Sequence, residues 1–143
     1  MEELLKQIEE WNEASEFSKA IEAIEKIPVG ERDYTLTLWL GRITSNLAVL
    51  GDRDIRMHKN MEPDWKLLRK AVDLLESIRE EGEQDPLWYS RMGYALHAME
   101  RSQEALRCGQ RWLELAPEDP DAQEFLESCR MFLREMVKGK KKY

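Results

Sequence analysis

Cysteine is scarce in this chain, with only Cys108 and Cys129 among 143 residues. Two thiols cannot make a disulfide scaffold. No CxxC, HxxxH or HExxH arrangement accompanies them, so the ligand spacing of a zinc site is missing. Each cysteine sits among apolar neighbours on a helical pattern, where a buried, reduced thiol is expected. Glycine and proline are also few, seven and five residues. They fall mostly at apparent helix ends, which leaves long stretches free for helix. No run approaches the ~20 apolar residues of a membrane span. The opening MEELLKQIEE is acidic and amphipathic, unlike the apolar core of a signal peptide. An excess of base is absent as well, the formal net charge being −7. Lys138, Lys140, Lys141 and Lys142 all lie in the last six residues, so the body without those four positive charges carries −11. Such a body lacks the basic footprint that nucleic acid requires. Four lysines without an apolar anchor are a weak determinant for a membrane surface. A cytoplasmic protein with no nucleic-acid or membrane partner is expected.

What remains is ample for one helical domain. At 143 residues the chain can bury a sizeable core without metal or disulfide. Leu4, Leu5, Ile8 and Trp11 recur at helical spacing in a first helix over about 2–13. Ser15 is positioned as the N-cap of a second, carrying Phe17, Ala20, Ile21, Ile24 and Ile27 and stopped by Pro28. A third, from about Arg32, shows Leu36, Leu40, Ile43 and Leu47. Its partner, predicted over Asp64–Glu81, shows Trp65, Leu68, Ala71, Val72, Leu75 and Ile78. The polar stretch Gly51–Pro63 reads as longer helix ends plus an exposed loop, a length that is functional or mobile in compact domains. Asp85-Pro86 and Asp119-Pro120 each combine a capping side chain with proline at the first helical position.

From Pro86 to Asp119 the chain reads PLWYSRMGYALHAMERSQEALRCGQRWLELAPED. Gly93, Ala105 and Pro117 follow at two intervals of 12 residues, and Pro120 comes 34 residues after Pro86. That is the period of a helix–turn–helix repeat, and the stretch resembles a tetratricopeptide repeat (TPR). In the first pair Ala20 falls 12 residues after Ile8, whereas Gly41 to Ala71 is 30 residues, an excess around Gly51–Pro63. The resemblance implies an all-α fold, a right-handed superhelical stack of about seven helices. The expected single domain spans 1–137, with pairs over about 2–28, 32–82 and 85–118, a capping helix over 119–137 and a basic tail over 138–143. Stand-alone size and plain composition are similar to small bacterial proteins of that family.

The resemblance also implies a non-catalytic function, capture of a peptide or helix of another protein on the concave face lined by the first helix of each pair. Carried onto this sequence, those positions include Trp39, Arg42 and Asn46 in the second pair and Arg91, Tyr94 and His97 in the third, with Phe125 on the closing helix. Aromatic residues beside arginine are common binding hot spots. The arginines would favour an acidic stretch or a carboxylate. Burial of Trp39 or Tyr94 in the core is the competing expectation. A chaperone carboxylate clamp is not implied, since of its five places, here Leu5, Glu9, Trp39, Leu87 and Arg91, only Arg91 fits. A homo-oligomer formed through the concave face or the closing helix is the alternative function.

Catalytic signatures are missing from the pattern. GxGxxG, GxxxxGK[ST] and GxSxG do not occur. His58 and His97 stand apart from any ligand spacing, and acidic pairs such as Glu9-Glu10 and Glu80-Glu81 suit helix solvation. No enzyme activity, metal or cofactor is expected.

Overall fold

The computed structural model describes residues 1–54 and 62–141, the side chains of 140 and 141 excepted. Every regular element among them is helical: α1 (Glu2–Glu13), α2 (Phe17–Glu25), a 3-10 turn (Val29–Glu31), α3 (Tyr34–Leu50), α4 (Trp65–Glu76), α5 (Arg79–Gly82), α6 (Pro86–Ala98), α7 (Ser102–Leu115) and α8 (Pro120–Lys141). The fold is all-α, and no described helix is long and apolar enough to cross a membrane. Contacts divide the chain into two compact units, Met1–Ile78 and Arg79–Tyr143.

In the first unit, Ile8, Phe17, Ala20, Ile24, Leu36, Leu40 and Ile43 form one buried cluster, with Leu4, Leu5, Trp11, Trp39, Leu47 and Leu74 packed around it. The periodic stripes of α1, α2 and α3 therefore meet as their spacing dictates. Helix α4 lies antiparallel against α3. A Cβ on Gly41 would stand 2.8 Å from Leu75, while near the other end the Asp64 amide donates to the Ala48 carbonyl at 2.9 Å. That last bond also draws together the two ends of the long connection. Residues 55–61, with His58, lie outside the described residues.

Three local expectations change. Ser15 is not the cap of α2; it has φ 58°, a turn conformation, and α2 has no side-chain cap at its preceding residue, Glu16. Asp52 serves instead from 34 residues away, accepting from the Ser18 amide at 3.0 Å and from the Ser18 hydroxyl. Trp65 is exposed rather than core. The helix predicted over Asp64–Glu81 breaks at Ser77, whose hydroxyl turns back to donate to the Leu74 carbonyl at 2.6 Å, and α5 follows as a separate turn.

The hydroxyl of Thr44 is buried in α3 without a hydrogen-bond partner among the described residues. An unpaired buried hydroxyl costs about 1–3 kcal/mol of desolvation. Thr44→Val, which keeps the shape, is therefore expected to raise the thermal midpoint, a gain that differential scanning calorimetry would register; an unchanged or lower midpoint would show the hydroxyl to be satisfied.

In the second unit, α6 starts where the sequence places it, the Asp85 carboxylate accepting from the Leu87 amide at 3.0 Å with Pro86 in the first turn. Helix α7 returns antiparallel, since early α6 meets late α7 (Tyr89 with Arg111) and late α6 meets early α7 (His97 with Ser102). Gly93, Ala105, Gly109 and Trp112 are all buried. Helix α8 then runs antiparallel to α7 and parallel to α6, with Ala122, Phe125, Leu126 and Cys129 buried. It continues to Lys141, past the Val137 boundary expected for the closing helix, so Lys138 stands on helix rather than in a tail. Residues 142–143 lie outside the description. Both cysteines are free of disulfide.

Candidate partner-binding face

The residues singled out by sequence separate into two groups, one in each unit. In the first, Trp39 is partly buried against the core and the guanidinium of Arg42 lies 5.3 Å from its ring centroid, a cation–π pair within one helix turn. The side-chain amide of Asn46 donates to Asn12 Oδ1 at 2.9 Å and ties α3 to α1. These three side chains hold the unit together more than they offer surface.

The second group centres on Tyr94. Its ring meets Phe125 edge-on at 4.8 Å and Trp112 at 5.9 Å, yet the residue stays 47% exposed. Two packed rings fix its plane. Leu87, 50% exposed, precedes it on the same stripe of α6, with half-buried Arg91 between them. Across from Tyr94, α8 brings carboxylates. Burial raises the Tyr94 pKa, and Asp121, Glu124 and Asp119 raise it further, against an opposing effect of Arg91. The field at this face is therefore acidic on balance. Sequence missed Asp121, although the start signal at Asp119-Pro120 puts it in the first turn of α8, next to α6.

Phe125 does not share this exposure. It is 2% exposed and fills space that two glycines leave open. A Cβ on Gly93 would stand 3.0 Å from its ring, and one on Gly109 2.9 Å. Its role is to support Tyr94 from below, and the facing glycines were the signal for that. The indole N–H of Trp112 donates to Asp119 Oδ2 at 3.0 Å, while the other oxygen of Asp119 accepts from the Asp121 amide.

His97 is half-buried between the rings of Phe125 and Phe132, with Ser102 Oγ at 3.5 Å and Cys129 Sγ at 3.8 Å from Nδ1. Serine, histidine and cysteine so close invite comparison with a nucleophilic pair, but the electrostatics oppose it. Burial pushes the Cys129 thiol up to about 11 and lowers the His97 pKa, so both stay neutral at pH 7. A reactive thiolate needs the reverse, a lowered pKa beside a cation.

Because His97 prefers the neutral form when folded, its contribution to stability is complete above its ordinary value of 6.5 and is lost as pH falls below it. Thermal melts between about pH 7.5 and 5 should therefore show a larger drop in midpoint for the native chain than for His97→Leu. Parallel curves would mean that His97 titrates as in the unfolded chain.

Among the described residues no group of three or more His, Cys, Asp or Glu is placed to hold a metal ion. A hollow of about 390 Å³ on the first unit, lined by Ser18, Ile21, Glu22, Glu25, Lys26 and Leu47, mixes charges of both signs without converging on a point. No family model matches the chain, and no curated protein matches it.

Proposed function

We propose that the chain is a non-catalytic, TPR-like interaction module, its helix pairs stacked in a right-handed superhelix, which binds a peptide or helix of another protein along the α6–α8 face. The observation that carries this reading is Tyr94, a large ring held by Trp112 and Phe125 and still nearly half exposed. A rigid aromatic anchor loses little conformational entropy on binding, which is why such residues dominate interface energetics. Contacts in register support the repeat reading: Asn12 with Asn46 and Ser18 with Asp52 are each 34 residues apart, the interval that separates Pro86 from Pro120.

The sequence alone favoured an acidic partner on account of Arg42 and Arg91. With Arg42 on Trp39, and Asp121 and Glu124 acting on Tyr94, the better complement is an apolar side chain flanked by a lysine or arginine. Tyr94→Ala with Leu87→Ser is expected to keep helical content and to weaken a partner captured from native extract by about 2 kcal/mol or more, roughly thirtyfold in Kd. Undiminished capture would place the binding surface elsewhere.

A further inference from the structure

Helix α8 has a second surface, opposite the one it buries. Glu124, Glu127, Met131, Arg134 and Lys138 follow at intervals of three or four residues, one face of an α-helix. Arg134 Nη2 donates to Glu127 Oε1 at 2.8 Å across the turn that carries Met131, so these side chains do share a face. Met131 is 55% exposed, more than any other apolar residue of α8. The order along the stripe is acid, acid, methionine, base, base. Helix-dipole complementation accounts for acid in the first turn and base in the last, but it fades within a turn of each end. Glu127 and Arg134 lie beyond its reach.

We propose that this stripe is a two-fold contact with a second copy of the chain, α8 packing antiparallel on α8 about Met131. Glu124 and Lys138 each lie seven residues from Met131, and Glu127 and Arg134 four and three. With the two methionines facing each other, Glu124 meets the partner's Lys138 and Glu127 meets the partner's Arg134. Symmetry repeats both pairs, as an isologous interface requires. Parallel packing would set acid against acid and base against base. One sequence supplies both complementary halves, which is why the occupant is a second copy rather than an unlike protein. Glu135 is paired within its own turn, with Lys138 at 3.5 Å.

A single helix stripe covers well under the ~1,600 Å² of a standard interface, so the dimer exchanges quickly, with Kd of about 10 µM to 1 mM. Its charge pairs are exposed and therefore screened by salt. The proposal does not depend on the α6–α8 face binding anything.

The test is sedimentation velocity of the full chain at low ionic strength, from about 10 µM to 1 mM. The native chain is expected to pass from monomer to dimer over that range, and to return towards monomer in about 0.5 M salt. Glu124→Lys with Glu127→Lys makes the stripe basic throughout, and Arg134→Glu with Lys138→Glu makes it acidic throughout. Each variant alone should dimerise at least ~10-fold more weakly. An equimolar mixture of the two should recover the dimer, because a basic stripe then faces an acidic one. Circular dichroism on the same samples reports that α8 stays folded. A native chain that remains monomeric at every concentration would overturn the proposal. So would variants that dimerise as well as the native chain, or a mixture that recovers nothing.

Discussion

Phe125→Ala is expected to destabilise the protein by about 3–5 kcal/mol, lowering the thermal midpoint by roughly 10–20 °C. The ring lies beneath Tyr94, against Trp112 and His97, and over Gly93 and Gly109. Removing it leaves a void bordered by two glycines, neither of which has a side chain to move in. It also withdraws the support that fixes Tyr94. Phe125→Leu should restore most of the stability, since a branched apolar chain refills much of the space. Circular dichroism melts of the two variants give the answer directly. If Phe125→Ala melts with the native chain but fails to capture a partner, then Phe125 is a contact residue, as its position in the repeat register suggested.

The second large effect centres on Trp88. Its ring is buried against Gly82 of α5, stacks edge-on with Tyr89 at 5.0 Å, and lies under the Arg79 guanidinium at 4.9 Å. A Cβ on Gly82 would stand against Trp88 Cγ, closer than atoms tolerate. Gly82→Ala is therefore expected to cost about 1–3 kcal/mol by overpacking, and Trp88→Ala about 3–5 kcal/mol by loss of the ring. The two should not add. Once Trp88 is alanine, a methyl group at position 82 enters vacated space, and the double variant should be no less stable than Trp88→Ala alone. Additive losses in urea titrations would show that Gly82 matters for its backbone and not for this contact.

Much of the fold was legible because its signals are local. The cap at Asp85, the proline after it, and the inward run of Phe17, Ala20 and Ile24 all follow from residues within a turn or two of one another. What escaped prediction depends on distant partners. The start of α2 is held by Asp52, a residue beyond the end of α3, so nothing near Ser15 could reveal it. The break at Ser77 has no glycine or proline, and Leu75 and Ile78 keep the helical rhythm across it. Gly82 is the place where Trp88 packs closest, a contact between different helices that no local pattern marks.

The candidate site was legible in part for the same reason. Repeat register put forward Tyr94 and Arg91, which lie three residues apart on α6. It could not distinguish Tyr94 from Phe125, because exposure depends on what two glycines on different helices leave empty. Nor could the charge of the face be read from α6 alone. The arginine is there in the sequence, but the carboxylates that outweigh it at Tyr94 arrive on α8.

Isotope-labelled chain titrated with its captured partner provides the most direct examination, because amide shifts report where the partner sits. Perturbations are expected to gather on Leu87, Arg91 and Tyr94 of α6 and on Asp121 and Glu124 of α8. Shifts confined to α1–α4, with α6 and α8 silent, would contradict the assignment of Tyr94 as the anchor.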